Sequence, residues 1–440
     1  MDADPNQKQR LILLLDGTWN DSEFNQRDTN IVRMREVIAR SLTLRGERGQ
    51  ADPKTLVLYL RGVGTDTRLD RFLGGALGYG LDENIRRGYK FLSRHYRLGD
   101  EVHLFGFSRG AFTARSLAGF IGAAGLLRAE ACTPELENLA WSYYRTRPDD
   151  RSPGIWHRLA EHVHPREESC VNCLGVFDTV GALGVPLSIL RAFNRMRFQF
   201  HNVELPSNTM LNLHAIALDE QRLPFAAAVW RRHKFKPAQN VTEQVWFPGV
   251  HADVGGGYAD GEARVPGSPA LDDFSLDWMM RRVKKQFADF PWDADAWPAI
   301  AQQSALAPQH ESRGGFYELL RRGLRAIGNL PVPVTGYAKT VSRDRHARPV
   351  GEMVHVAALE RLGQRVPCDN TRITYAPPAL VAMLDDIAAT YGATPARAPR
   401  MQTKVVDWTG DPFNPDDPAQ AAQVLGLIAA ARGRLSGAVT

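Results

Sequence analysis

Cysteine is too scarce and too scattered in this chain to indicate a zinc site. The four cysteines are Cys132, Cys170, Cys173 and Cys368. Only "CVNC" (170–173) has metal-binding or redox spacing, and neither a second C-x-x-C nor a pair of histidines completes it. The motif lies on an apolar run that enters a predicted strand, where a small half-buried thiol is ordinary. We therefore expect no metal, no cofactor and no need for an oxidising compartment.

Long hydrophobic runs are also missing. The N-terminal "MDADPNQKQR" is polar and lacks the apolar core of a secretory signal. No run of about 18 apolar residues predicts a membrane-spanning helix. We expect a protein that is made in the cytoplasm without a signal peptide. Export by a machinery that reads no cleaved signal remains open.

The charge balance is mild. Lys and Arg number 54 against 49 Asp and Glu, which gives a net charge of +5 over 440 residues. This excess permits contact with anionic lipid or phosphate. Because the sequence has no RNA- or DNA-binding motif, we expect no nucleic-acid partner.

Short apolar runs that close in glycine-containing turns are abundant. Five of them predict strands buried on both faces of a parallel sheet: "RLILLLDGTW", "TLVLYLRGVGT", "GDEVHLFGFS", "ESCVNCLGVFDTVG" and "EQVWFPGVHADVGGG". Helical patterns lie between them, among them "GLDENIRRGYKFLSRHY" and "PSNTMLNLHAIALDEQR". This alternation predicts an α/β fold, a three-layer αβα sandwich with a mostly parallel sheet and helical cap insertions. We expect one catalytic domain over residues 9–290, with 128–168 as a cap insertion. Residues 291–440 would then form a peripheral helical or lid segment and a C-terminal extension.

A serine flanked by glycines follows the third predicted strand. In "LFGFSRGAF", Ser108 lies between Gly106 and Gly110 and precedes a helical pattern. G-x-S-x-G between a strand and a helix is typical of a nucleophile elbow, in which the glycines relieve crowding at a strained serine. We therefore predict that Ser108 is a nucleophile rather than part of a structural turn.

A serine nucleophile needs a base and a carboxylate, which follow in that fold in the order serine, acid, histidine. Asp178 ends the strand-like "CLGVFDTVG", and His251 ends "VWFPGVH". Two residues compete for these roles: Asp253, beside the "GGGY" turn, and His355, late in the chain. Asp219 and Glu220, in "ALDEQR", fit a solvated helix face better, and His214 fits a packing histidine on an apolar helix face.

The tetrahedral intermediate needs two N–H donors. The backbone N–H of Arg109 is the first candidate, since it follows the nucleophile. The loop in "LLLDGTWN" offers Gly17 and Thr18 as the second, and Asp16 as a carboxylate that fixes this loop.

Six motifs in order resemble the DUF2235 α/β-hydrolase family, which includes the Tle1-type phospholipase effectors of bacterial type VI secretion. They are "LLLDGTWND", "GVGT", "GFSRGAFTAR", "FDTVGALG", "NLHAIALDEQR" and "WFPGVHADVGGGY", and they cover about residues 9–290. The resemblance implies an α/β-hydrolase fold and a triad of Ser108, Asp178 and His251. It also implies a phospholipid or other ester substrate, and it allows a secretion-system or immunity partner.

Two basic, apolar segments bear on the substrate. Residues 184–200 and 315–334 fit helices that lie on an anionic membrane or form a lid, although ordinary packed helices fit equally. We expect a serine esterase acting on lipid esters, of the phospholipase A type, with an acyl-enzyme intermediate. Two alternatives stay open: a soluble carboxylesterase or amidase on a small or polysaccharide substrate, and a non-catalytic binding protein that kept the fold.

Overall fold

The computed structural model describes residues 8–17, 28–50, 52–62, 76–166, 170–180, 205, 207–232, 240–258, 269–296, 304–313, 322–328, 338–340, 348–394, 399 and 401–437. The strands are β1 (Gln9–Leu15), β2 (Lys54–Leu60), β3 (Glu101–Phe107), β4 (Val171–Phe177), β5 (Thr209–Ala217), β6 (Arg231–Arg232), β7 (Val241–Phe247), β8 (Arg322–Leu324), β9 (Ala338–Thr340), β10 (Arg348–Pro349), β11 (Glu352–His355), β12 (Arg365–Cys368), β13 (Thr371–Thr374) and β14 (Lys404–Val406). The helices are α1 (Asn30–Glu47), α2 (Ala76–His95), α3 (Arg109–Ala124), α4 (Pro134–Arg145), α5 (Pro153–Ala160), α6 (His251–Gly255), α7 (Leu271–Gln286), α8 (Val356–Arg361), α9 (Pro378–Val381), α10 (Leu384–Thr390) and α11 (Pro418–Gly437).

The main sheet has eight strands in the order β14-β11-β7-β5-β4-β3-β1-β2, and helices flank it. The pairs β1–β2, β1–β3, β3–β4, β7–β11 and β11–β14 are parallel. All seven residues of β1 and of β3 are buried, as expected for strands covered on both faces. The mostly parallel sheet predicted from the sequence is confirmed, and all five predicted strands belong to it.

The chain divides into two compact units. The first consists of residues 1–21, 31–213 and 236–242, and the second of 22–30, 214–235 and 243–440. This division differs from the boundary at residue 290 expected from the sequence. Moreover, β11 and β14, which lie beyond residue 290, belong to the main sheet rather than to a peripheral segment.

In the first unit, helices α2 and α3 pack on each other beside β1. Gly88 of α2 makes this approach close: a Cβ there would lie 2.8 Å from Leu117 of α3 and 3.2 Å from Leu13 of β1. The segment expected to be a cap insertion contains α4 and α5, and Tyr144 of α4 stacks on Phe120 of α3 with ring centroids 5.1 Å apart.

In the second unit, the short helices after β11 and the long α11 enclose an apolar core. Its members share near-complete burial and come from strands and helices alike: Trp246, Val354, Leu359, Leu380, Ile387, Tyr391, Val405, Val424 and Ile428. This core supports the unit's strands β7, β11 and β14.

One predicted helix is wrong. The stretch "PSNTMLNLHAIALDEQR" forms strand β5, and His214 lies on that strand rather than on a helix face. All but one residue of β5 is buried. A strand covered on both faces shows no alternation, so a short apolar run cannot be told from a helix by its period. His214 is nevertheless a packing residue: its Nδ1 lies 3.3 Å from Gln244 Oε1, and its ring edge meets Trp230.

Candidate active site

Ser108 and Asp178 follow adjacent parallel strands at the same sheet edge. Phe107 and Phe177 are the last paired residues of β3 and β4, and each candidate comes directly after one of them. The N–H of Ser108 donates to the carbonyl of Phe177 over 3.0 Å. The sequence order therefore translates into neighbouring positions within the first unit.

The backbone of Ser108 is strained. Its φ is 58° and its ψ is −119°, and α3 begins at the next residue. This region is sparsely populated for a residue with a Cβ, and holding it costs about 1–3 kcal/mol. The strand-to-helix turn at a strained serine is the geometry that the G-x-S-x-G motif predicts.

Both motif glycines lie where a side chain cannot fit. A Cβ on Gly106 would lie 2.5 Å from the carbonyl oxygen of Gly110, and a Cβ on Gly110 would lie 2.0 Å from that of Leu15. The clashing atoms are backbone atoms, which cannot rotate away. The glycines therefore allow the start of α3 to pack against β1 and hold the serine turn.

Asp178 is fully buried and also has an unusual backbone. Its φ is 36°, and its side chain has no exposure to solvent. A buried carboxylate at a strained position is costly and is commonly found at functional sites.

The loop after β1 lies against the serine. A Cβ on Gly17 would lie 3.3 Å from Ser108 Cβ, so this glycine contacts the candidate nucleophile. Asp16 fixes the loop: its Oδ1 accepts the N–H of Gly17 over 2.7 Å, and its Oδ2 accepts the hydroxyl of Tyr59 over 2.8 Å. Burial and the Asp16 carboxylate raise the pKa of Tyr59, so the phenol stays protonated. Because the N–H of Gly17 already has an acceptor, it would have to exchange Asp16 for an oxyanion. Thr18 lies outside the described residues.

His251 is the first residue of α6 and belongs to the second unit. It is buried, with 5% of its surface exposed. Its N–H donates to Glu220 Oε2 over 3.2 Å, and its ring meets the ring of Phe225 edge-on with centroids 5.0 Å apart. The approach of His251 to Ser108 stays a prediction.

Glu220 differs from the solvated residue that the sequence suggested. It is 1% exposed and forms a two-armed ion pair with Arg222, with distances of 3.0 and 2.9 Å. The sequence analysis missed the burial of Glu220 because it predicted a helix where strand β5 lies. The local sequence feature that could have indicated a buried ion pair is an acid and an arginine directly after a strand.

Asp253 pairs with a histidine that the sequence did not single out. Its Oδ1 lies 2.6 Å from His310 Nδ1, and its Oδ2 accepts the N–H of Val250 over 3.0 Å. The ring of His310 stacks on Tyr258 with centroids 3.9 Å apart. Asp253 is thus engaged within its own loop and with His310.

His355, the rival base, is a packing and capping residue. It is fully buried, stacks on Phe247 and Phe274, and meets the edge of Trp408. Its Nδ1 accepts the N–H of Ala357 at the start of α8. Burial lowers the pKa of His355 to about 3, so the ring is neutral over the usual assay range.

The two segments expected to contact lipid are mostly outside the described residues. This holds for all of 184–200 and for 315–334 except 322–328, where Arg322–Leu324 is a strand rather than a helix. None of the helices that the structure describes is long and apolar enough to cross a membrane. In the same part of the chain, no group of three or more His, Cys, Asp or Glu side chains is arranged to hold a metal ion.

Comparisons with known proteins agree with the motifs. A family model described as the type VI secretion system "Phospholipase effector Tle1-like, catalytic domain" matches residues 9–282. The uncharacterized protein YEL023C of Saccharomyces cerevisiae is 28% identical over 239 residues, which are 49% of this chain and 32% of the yeast protein. This chain therefore matches only about a third of that relative's length.

Two solved structures resemble parts of the chain. An uncharacterized protein from Pseudomonas aeruginosa has a TM-score of 0.37 and 19% identity over 67% of this chain and 48% of its own. A Tle1 effector bound to the VgrG spike of the type VI secretion system has a TM-score of 0.31 and 17% identity, over 59% of this chain and 52% of its own.

Proposed function

This chain belongs to the Tle1-like phospholipase effector family of type VI secretion, and from that membership we propose that it is a serine hydrolase that cleaves carboxylic ester bonds of glycerophospholipids. The observation that carries the proposal is the strained Ser108 between two glycines that tolerate no side chain. Such strain is retained where it positions a reacting group.

In the proposed reaction, Ser108 Oγ attacks the ester carbonyl carbon while His251 takes its proton. Asp178 accepts a hydrogen bond from His251 Nδ1 and stabilises the imidazolium. Collapse of the tetrahedral intermediate leaves an acyl group on Ser108, and His251 returns the proton to the departing alcohol. Water, activated by His251, then releases the fatty acid and restores the serine. This scheme requires His251 Nε2 within hydrogen-bond reach of Ser108 Oγ.

The oxyanion would be bound by the N–H of Arg109, the first residue of α3. The N-terminus of a helix carries unpaired N–H groups and a partial positive charge, which favour a developing oxyanion there. Gly17 would be the second donor if its N–H leaves Asp16.

The side chain of Arg109 favours an anionic substrate over a neutral one. Burial lowers the pKa of this guanidinium to about 10, and among the described residues no carboxylate or other group pairs with its side chain. A half-buried charge without a counter-charge is costly. A phosphodiester next to the scissile ester would supply that counter-charge.

The test uses the purified full chain on vesicles of phosphatidylethanolamine and phosphatidylglycerol, with fatty acid and lysophospholipid measured by mass spectrometry. Ser108→Ala should reduce hydrolysis by about 10⁴-fold or more and abolish labelling by a fluorophosphonate. Ser116→Ala, which alters another buried serine on α3, is the matched control and should keep both.

Three outcomes contradict parts of the proposal. Probe labelling that persists in Ser108→Ala shows that another residue is the nucleophile. Cleavage of soluble esters but not of phospholipids favours the small-substrate esterase, and a wild-type chain that neither hydrolyses nor labels is a binding protein.

Family membership also supports delivery by a type VI secretion system and an encounter with its machinery or with an immunity protein.

A further inference from the structure

Three consecutive backbone N–H groups in the second unit each donate to a different carboxylate. The pairs are Gly249 with Asp219 Oδ2 at 2.6 Å, Val250 with Asp253 Oδ2 at 3.0 Å, and His251 with Glu220 Oε2 at 3.2 Å. The carboxylates of Glu220 and Asp253 are buried, and that of Asp219 is half-buried. This turn is therefore fixed peptide by peptide up to the histidine.

Glu220 is the member of this group that faces the histidine directly. Burial alone would raise the pKa of its carboxyl, but Arg222, then Arg325 and His251 outweigh burial and hold the pKa below its usual value. Glu220 therefore stays ionised, and its charge acts on His251 within a buried region.

The segment after Glu220 also holds the imidazole ring. Phe225 meets the ring of His251 edge-on, and the guanidinium of Arg222 lies 3.7 Å from the centroid of the Phe225 ring. Arg222 in turn binds Glu220 through both arms. One short stretch of chain thus supplies a carboxylate that accepts the backbone N–H of His251, the negative charge of that carboxylate, and a ring contact for the imidazole.

We propose that Glu220 is a positioning residue for His251. Its carboxylate accepts the backbone N–H of His251 and stabilises the protonated imidazole with a buried negative charge. This inference rests on the proposed function, in which His251 is the general base. Glu220 does not touch the reacting atoms in this scheme; it acts through the histidine. Among the described residues, Arg222 and Arg325 also act electrostatically on Glu220, and Asp253 and Arg222 act together with Glu220 on Tyr258. In the proposed reaction, Asp178 is a second carboxylate that acts on His251.

The consequence is a pH profile that depends on Glu220. A nearby negative charge favours the imidazolium, and a nearby positive charge disfavours it. Glu220→Gln keeps a hydrogen-bond acceptor but removes the negative charge, and it leaves Arg222 without its counter-charge. The acidic limb of kcat/KM should therefore move to lower pH by about one unit or more.

The experiment measures kcat/KM of the full chain on a soluble ester from pH 4 to 9. The matched control is Glu243→Gln, because Glu243 is also buried and forms a two-armed pair with an arginine, Arg282, in the same unit. Both variants break a buried Glu–Arg pair, but only Glu220→Gln should displace the acidic limb. Glu220→Asp keeps the charge and should restore the wild-type limb at least in part.

Arg222→Gln supplies a test with the opposite sign, should Glu220→Gln fail to fold. It removes a positive charge near His251 and leaves Glu220 ionised, so the acidic limb should move to higher pH. An unmoved limb in Glu220→Gln, or a limb that moves equally in Glu243→Gln, overturns the positioning role, as does a downward shift in Arg222→Gln. If the wild type shows no Ser108-dependent hydrolysis, the proposed function fails instead, which separates the two.

Discussion

Replacing Gly110 with alanine should damage both stability and hydrolysis, because no space exists for a methyl group there. The added Cβ would lie 2.0 Å from the carbonyl oxygen of Leu15, whereas ordinary contact begins at 3.4 Å. The start of α3 and the end of β1 must therefore separate by the difference, about 1.4 Å. Overpacking of this kind costs about 1–3 kcal/mol or more, well above the gain of about 0.5–1 kcal/mol that alanine brings to a helix.

The same displacement reaches Ser108, which lies two residues before Gly110. Misplacement of a reacting group by about 1 Å can cost about 10²-fold in rate. We expect Gly110→Ala to lower the free energy of unfolding by about 2 kcal/mol and kcat/KM by about 10²-fold. Urea denaturation and ester hydrolysis measure the two effects.

Gly119→Ala on the same helix is the control. A Cβ there would lie 3.7 Å from the ring of Tyr144, which is ordinary contact, so stability should stay level or rise by up to about 1 kcal/mol. A Gly110→Ala variant that is as stable and as active as Gly119→Ala would refute the close approach at the serine turn.

Four further outcomes follow from the geometry. Asp178→Asn should lose about 10⁴-fold in kcat, while Asp253→Asn, which keeps an acceptor for Val250, should lose less than about tenfold; the reverse order in steady-state kinetics would identify Asp253 as the triad acid. His355→Asn should keep the cap on α8 and near-normal kcat/KM. Because the ring packing is lost, the free energy of unfolding should fall by about 2 kcal/mol, which a thermal melt measures. Loss of activity in a folded variant would count against His251 as the base. Burial raises the pKa of Asp219 to about 7, so the folded chain binds this proton more tightly than the unfolded chain does. The chain should therefore lose stability as the pH rises from about 4 to about 7. Asp219→Asn should remove up to about 4 kcal/mol of this difference in the free energy of unfolding, measured by urea titrations at several pH values. EDTA should leave hydrolysis unchanged, and inhibition that a divalent ion reverses would contradict a mechanism based on N–H donors alone.

The serine turn was predictable because its causes are local. A strand, two glycines and a helix start are consecutive in "LFGFSRGAF". The atoms that exclude a side chain at both glycines lie within this stretch and at the end of β1. The five long apolar strands were predictable for the same reason. Strands β11 and β14 were not, because they have only four and three residues and show no period.

The burial of Glu220 could not be predicted from its neighbours. Its charge is compensated by Arg222, which is local, and by Arg325, which comes from a distant part of the chain. Arg325 itself donates to the carbonyls of Ala217 and Phe225, so it fixes the segment that carries Glu220. A glutamate two residues before an arginine predicts an exposed ion pair. Only the distant Arg325 accounts for the burial of Glu220.

Within the first unit, the two ends of the segment that carries α4 and α5 are held together. Leu127 and Val163 form an antiparallel bridge, flanked by the bonds from the N–H of Arg128 to His162 and from that of His164 to Leu126. The entropic cost of closing such an excursion rises only slowly, by about 0.6 kcal/mol for each doubling of its length. Because this bridge fixes both ends of the segment, a longer or shorter segment in this chain would leave the geometry of β3 and β4 unchanged as long as Phe120 stays covered.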